Sequence, residues 1–273
     1  MKTIVITGAS SGIGKATAIY FAQKGWNVAA TMRKPEKETE LNQLDNVKLF
    51  ALDVTDSASI DKAYEEIKNE YKTIDVLFNN AGYCLFGPLE LSTEKQIRDT
   101  MEVLLIGLML VTKKFTSLIR ENGGGTIINT SSVGGVLTLP MTPTYHAAKY
   151  AVEGLTEALS YELAPFNIDV KTIEPGGIKT DFWNRSFVMV DGVEGSPYEK
   201  EAGKALGGFL APRDPENDNR ALPEDVAAVV YEAATDGKHH WRYTVASQDF
   251  INFRNSMSDD DWYAMQVKNY KGE

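Results

Sequence analysis

Three places in the chain set a tyrosine four residues ahead of a lysine: Tyr20 and Lys24, Tyr64 and Lys68, and Tyr145 and Lys149. On a helix this spacing puts both side chains on one face. An ammonium beside a phenol favours the phenolate, and a phenol so tuned can give or take a proton near neutrality. Only the third pair follows closely on a β-branched run ending in hydroxyls, Asn129-Thr130-Ser131-Ser132. A serine there would donate a hydrogen bond to a carbonyl or alcohol oxygen, and at this point Ser131 and Ser132 both qualify. The other two pairs read as solvated or packed helix faces.

A second feature is the loop Thr7-Gly8-Ala9-Ser10-Ser11-Gly12-Ile13-Gly14, which follows an apolar run and opens a helical pattern. Glycines let the backbone turn tightly and approach a pyrophosphate, whose charge is favoured by the helix N-terminus. A flexible turn is the plainer reading of glycines alone. Their position after the first strand argues for a nucleotide.

The elements that must carry these residues alternate along the chain. Strands are predicted at Thr3 to Thr7, Asn27 to Thr31, Val47 to Leu52, Ile74 to Asn79, Thr126 to Thr130, Asp169 to Glu174 and Tyr243 to Val245. Helices are predicted near Ile13 to Lys24, Ser57 to Tyr71, Thr93 to Arg120, Thr144 to Ala164 and Pro223 to Thr235. Such alternation predicts an α/β fold, a Rossmann-type doubly wound parallel sheet of about seven strands with helices on both faces. Residues 1–273 are expected to form one domain, with the Gly-, Pro-, Asp- and Asn-rich stretch 181–222 as a lid over the substrate.

Composition narrows the partners. With 43% hydrophobic residues and a formal net charge of -10, the chain suits a globular enzyme and not a binder of nucleic acid or anionic membrane. Its longest apolar stretch, Val103 to Val111, falls well short of the roughly 20 residues a membrane helix needs. One cysteine, Cys84, and three histidines show no zinc-ligand spacing, which leads us to expect no metal and a cytoplasmic location. His146 adjoins Tyr145, but neighbouring helix residues point apart, so it should face elsewhere.

Together these motifs resemble the short-chain dehydrogenase/reductase family. Further matches are Leu52-Asp53-Val54, which resembles the family's adenine contact; Asn79-Asn80-Ala81-Gly82, its sheet-stabilising segment beside the cofactor; and Pro175-Gly176 with Ile178 and Thr180, its turn at the nicotinamide. The separation of serine and tyrosine in the family selects Ser132 over Ser131. The resemblance implies hydride transfer between a nicotinamide and a ketone or aldehyde and its alcohol. In it Tyr145 protonates the oxygen, Ser132 polarises it, and Lys149 binds the ribose and lowers the phenol's pKa. Cofactor contacts are implied at Gly8, Ser10, Ser11, Gly12, Ile13, Gly14, Asp53, Val54, Asn80, Ala81, Gly82, Pro175, Gly176, Ile178 and Thr180, with Tyr145 and Lys149. At the end of the second strand stands Arg33 where NAD-dependent proteins carry an acid, so NADP(H) is expected. Arg33, Lys34 and Lys37 otherwise read as a solvated face partly neutralised by Glu36, Glu38 and Glu40.

The resemblance also implies a homodimer or homotetramer built on the helix from Thr93 and the one after it. The segments Cys84 to Phe86, Val136 to Met141 and Phe182 to Met189, mostly apolar, predict a hydrophobic substrate. One position departs from the family: where its members place an asparagine that orders a water behind the lysine, this chain has Leu104. A redox-sensing regulator that binds NADP(H) without turnover is the alternative. Retention of Tyr145 and Lys149 argues for turnover, and a Rossmann-type transferase would not need the serine, tyrosine and lysine together.

Overall fold

The structure, a computed structural model, describes residues 1–179, 186–210 and 220–271. Seven parallel strands form its central sheet: β1 (Thr3–Ile6), β2 (Asn27–Met32), β3 (Val47–Ala51), β4 (Val76–Asn79), β6 (Gly125–Thr130), β7 (Ile168–Pro175) and β9 (Arg242–Val245). They lie in the order β3-β2-β1-β4-β6-β7-β9. Every crossover but that from β2 to β3, which has only two short 3-10 turns, carries an α-helix: α1 (Gly12–Gln23), α2 (Ser57–Tyr71), α3 (Glu94–Met101) running on into α4 (Gly107–Glu121), α5 (Pro143–Leu163) and, before β9, α7 (Pro223–Thr235).

Successive side chains of a strand face opposite ways, so each buried strand feeds two cores. Ile4 and Ile6 pack with Phe21 of α1 and Val226 and Val230 of α7. Val5, between them, packs with Ile60 and Ile67 of α2 and Val111 and Phe115 of α4 on the other face. The near-continuous apolar strands of the sequence are therefore what a sheet covered twice requires. Strand order reverses between β1 and β4, and open sheets of this kind bind ligands at such a switch, beyond the carboxyl ends of the strands. Both the glycine loop and the Asn79-Asn80-Ala81-Gly82 segment leave the sheet there.

The sequence reading requires three corrections. The helix expected from Thr93 to Arg120 is interrupted by a π-turn at Glu102–Ile106. A side chain at Gly107 would lie 2.6 Å from the Val54 carbonyl, so the backbone is pressed against the loop after β3 just where the wider turn ends. A second, two-stranded sheet pairs β5 (Cys84–Phe86) in parallel with β8 (Phe187–Met189). Three further helices, α6 (Glu199–Leu210), α8 (Gln248–Asn255) and α9 (Asp259–Lys271), lie in segments without a sequence assignment.

Of the stretch 181–222, residues 181–185 and 211–219 lie outside the described residues, as does Thr180. The described remainder packs a small core of Val190, Val193 and Ala202 on Leu85, Phe86 and Met141. Among the described residues no helix is long and apolar enough to cross a membrane.

Candidate active site

The glycine loop is shaped by close approach. Gly8 and Gly12 have φ of 67° and 53°, the left-handed region in which glycine carries no steric penalty. A side chain on Gly8 would meet the Ala81 backbone at 2.8 Å, and one on Gly14 would meet the Gly8 carbonyl at 2.5 Å. Threonine and asparagine lock this packing: the Thr7 hydroxyl accepts from the amides of Asn80 (2.9 Å) and Ala81 (3.1 Å), and Asn80 Nδ2 donates to the Thr7 carbonyl (3.1 Å). Ser11, at the N-cap of α1, makes no side-chain cap bond. First-turn amides are therefore left for an anion, the fit a pyrophosphate needs.

Beneath the loop a buried amide chain ties the elements together. Asn79 Nδ2 donates to Thr112 Oγ1 on α4 (2.8 Å) and to Asn129 Oδ1 on β6 (2.9 Å), and Asn129 Nδ2 donates to Thr156 Oγ1 on α5 (2.9 Å). The strand end that carries the serines is thus fixed to the helix that carries Tyr145 and Lys149. Adjacent strand-end residues point opposite ways, which separates the two serines. Ser132 turns toward the Tyr145 phenol, while Ser131 turns back toward Glu153 of α5. The Ser132 hydroxyl also accepts from the Gly134 amide at 3.0 Å.

Lys149 follows Tyr145 by one turn and is buried, its Nζ donating to the Thr130 carbonyl at 2.6 Å and lying 5.7 Å from the Tyr145 ring centre. Burial pulls this ammonium down to about 8, against the opposing charge of Glu153. Burial also pushes the Tyr145 phenol up, with the Cys84 thiol adding to the rise and the Ser132 hydrogen bond working against it. The sequence led us to expect the ammonium to lower the phenol. In the chain alone burial raises the phenol instead, and Lys149 donates its hydrogen bond to the backbone of β6. Cys84 lies at the same site, its own thiol pushed up to about 12 by burial.

The remaining predicted contacts are distributed around this cleft. Asp53 Oδ1 holds the turn after β3, accepting from the Thr55 amide (3.0 Å) and hydroxyl (2.8 Å). Val54 is buried under Gly107. The Gly176 amide donates to the Val245 carbonyl (2.8 Å), a side chain there would meet the Ala246 carbonyl at 2.2 Å, and Ile178 bridges to Ala221. Arg33 is exposed at the end of β2 and has no ion pair among the described residues. Glu38 and Glu40, read as neutralising the basic face, instead hold Lys15 at 3.0 and 2.8 Å, and Glu38 also accepts from the Glu40 and Leu41 amides.

Sequence reasoning missed two participants. Lys15, directly after Gly14, joins the glycine loop to the turn after β2. His146 does face away from the cleft, and it pins the loop that follows Ser132: its Nε2 accepts from the Leu139 amide (2.9 Å) while Nδ1 meets the Gly134 carbonyl (2.8 Å). Beyond this loop an apolar groove of about 680 Å³ is lined by Leu139, Met141, His146, Tyr150, Tyr198 and Tyr270, and includes none of Ser132, Tyr145 and Lys149.

Comparison with known proteins gives the same outline. The family model described as short chain dehydrogenase matches residues 2–190. A short-chain dehydrogenase from Streptomyces avermitilis superposes with a TM-score of 0.83 at 31% identity, over 99% of this chain and 98% of that one. The NADPH-dependent 3-dehydrocapnine reductase of Ornithobacterium rhinotracheale is 34% identical over 92% of this chain and 90% of its own length. The 3-ketodihydrosphingosine reductase of Bacteroides thetaiotaomicron is 41% identical over 66% of this chain and 65% of its own length.

Proposed function

The chain belongs to the short-chain dehydrogenase family, and from that premise we propose that it is an NADP(H)-dependent oxidoreductase interconverting a hydrophobic ketone or aldehyde and its alcohol, with Tyr145 as general acid and base. One observation carries the reading: the Ser132 and Tyr145 hydroxyls face each other beyond the strand ends, with Lys149 buried one turn behind. A bound nicotinamide supplies or takes up the hydride. The chain's own residues handle the oxygen and its proton.

Ser132 donates to the carbonyl oxygen and draws charge onto it, and Tyr145 Oη delivers the proton as that charge grows. A phenol held high by burial is a proton donor at rest, which suits the reductive direction. Lys149 would hold the ribose hydroxyls of the cofactor, and its charge, 5.7 Å from the Tyr145 ring centre, favours the phenolate. Glycine-loop amides and the α1 N-terminus hold the pyrophosphate, and Arg33 answers the 2′-phosphate. Glu38 is engaged by Lys15 and by backbone amides, so it does not take up Arg33.

The apolar segments Cys84 to Phe86 and Val136 to Met141 favour a hydrophobic substrate, and the names of two relatives point one to a keto group and one to NADPH. Residues 1–273 act as one domain, with 181–222 as the lid.

Tyr145→Phe removes the acid without disturbing the ring. Its kcat, followed at the nicotinamide absorbance band with a panel of aryl and cyclic ketones, should fall about 10²- to 10⁴-fold while NADPH still binds. Undiminished turnover would overturn the reading, and faster turnover of a small anionic substrate than of any such ketone would overturn the substrate class. Arg33→Asp should shift preference toward NAD by about one to two orders of magnitude, and an unchanged NADPH affinity would exclude its role.

A further inference from the structure

Behind Lys149 the same helix buries a second charge. Glu153 stands one turn on, 7% exposed against 6% for Lys149, so the two share a face of α5. Its Oε2 accepts from Arg242 Nε at 3.0 Å and from the Thr172 hydroxyl at 3.5 Å. Glu174 on β7, 1% exposed, is its neighbour; Glu174 Oε1 makes no hydrogen bond among the described residues and lies 3.4 Å from the same Arg242 Nε. The other end of the guanidinium reaches out to Glu157 at 3.4 Å. One cation thus serves two buried carboxylates and a third near the surface.

Two acids so close in a dry site do not both ionise at neutral pH, and the proton goes to the one with the poorer hydrogen bonds. That is Glu174, pushed up to about 7 by burial and by Glu153. Burial also raises Glu153, but Ser131 beside it and the Arg242 and Thr172 bonds to its Oε2 favour its charged form, although its Oε1, like Glu174 Oε1, has no hydrogen-bond partner among the described residues. The groups that face Lys149 are few: Tyr145 and Glu153 on α5, Cys84 on β5 and the Thr130 carbonyl on β6. Tyr145 and Cys84 are neutral through the physiological range, since burial raises both. Glu153 is the anion left to oppose the desolvation of Lys149.

We propose that Glu153 is a positioning residue for the reaction: its buried carboxylate, held by Arg242, keeps Lys149 protonated, and Glu174 takes the surplus proton of the pair. The inference rests on the reading of Tyr145 and Lys149 given above. It makes Lys149 the reporter, because removing the Glu153 charge leaves burial unopposed. Loss of packing alone does not move a lysine titration in a set direction.

The experiment is a ¹³C titration of ε-labelled lysine in the cofactor-free chain, with the Lys149 signal assigned through Lys149→Met. In Glu153→Gln the Lys149 pKa should fall by about one unit, the lower end of what an adjacent opposite charge contributes. Glu153→Asp, charged but shorter, should move it by less than half as much, and Glu174→Gln by no more than a few tenths. Should the glutamine variant fail to fold, the aspartate variant still decides: an acidward shift supports the proposal and none overturns it. A Lys149 pKa unmoved in folded Glu153→Gln overturns it as well. Turnover separates this from the parent reading. If Tyr145→Phe is inactive and Lys149 ignores Glu153, only the present proposal fails. If Lys149 follows Glu153 while Tyr145→Phe turns over fully, the proposal stands and the parent reading fails.

Discussion

Leu104 sits where a small change in chemistry should be felt most. It is 2% exposed, inside the π-turn, and its Cδ2 would stand 3.0 Å from a side chain on Gly82, so it seals the space between α3 and the segment beside the cofactor. Its isobutyl group offers no polar atom to a water there. Leu104→Asn should restore an anchor for a proton path behind Lys149 and raise kcat by about an order of magnitude, with cofactor Kd nearly unchanged. Burying an amide in place of the isobutyl group should cost about 1–3 kcal/mol. Steady-state kinetics across pH beside a thermal melt measure both effects. Identical kcat and pH profiles in the two proteins would mean that proton supply does not limit the rate. At this scale the sequence was most informative for Tyr145 and Lys149, whose four-residue spacing on a helix restricts their geometry, whereas Ser132 was separated from Ser131 by the family resemblance. Glu153 escaped notice because its partner Arg242 lies 89 positions away, and Lys15 because Glu38 lies across a strand and a turn.

At the scale of elements, the long strands and helices follow from period and β-branching, whereas β5 and β8 do not. Each has three residues, too few for a period, and they are brought together by chain closure over a separation of about one hundred residues. The loop between β6 and α5 is another case, being held at two points by one side chain. His146 holds both Gly134 and Leu139 only as a neutral imidazole, since Nε2 must stay free to accept. Burial lowers its pKa below the usual 6.5. The unfolded chain therefore binds the proton more tightly, and the stability His146 contributes is complete above pH 6.5 and is lost as pH falls below it toward the folded-state value. His146→Leu should lower stability at pH 8 by about 1–3 kcal/mol, through a part-buried amide left without its acceptor, and should flatten the decline between pH 7 and pH 5. Urea melts at those pH values test this; parallel declines in the two proteins would remove His146 as the acid-sensitive group.

For the whole molecule, the two main cores account for the buried faces of α1, α2, α4 and α7, whereas α5 keeps a long exposed face. Along α5 the exposed residues are Pro143, Ala147, Tyr150, Gly154, Ala158, Tyr161 and Glu162, a stripe that is uncharged until the last turn of the helix. Ile106 and Met109 extend the exposed apolar surface where the π-turn enters α4. A helix that buries one face in the sheet ordinarily solvates the other with charge, so a smooth apolar outer face calls for a second surface. The stripe is self-complementary in the way a two-fold interface demands, with small residues between aromatic ones, and a helix of 21 residues is long enough to anchor a standard interface. We expect a homodimer or homotetramer by light scattering at micromolar concentration. Gly154→Glu is the discriminating variant. A side chain there meets nothing within 4 Å in the chain itself, and replacing glycine inside a helix favours the fold by a few tenths of a kcal/mol or more. The single chain should therefore stay folded, while across a two-fold axis each glutamate meets apolar surface and approaches its own copy. Mass should drop to that of a smaller species with the far-ultraviolet circular dichroism unchanged. A wild-type monomer, or a variant that assembles as before, would show that the α5 stripe does not join one copy to another.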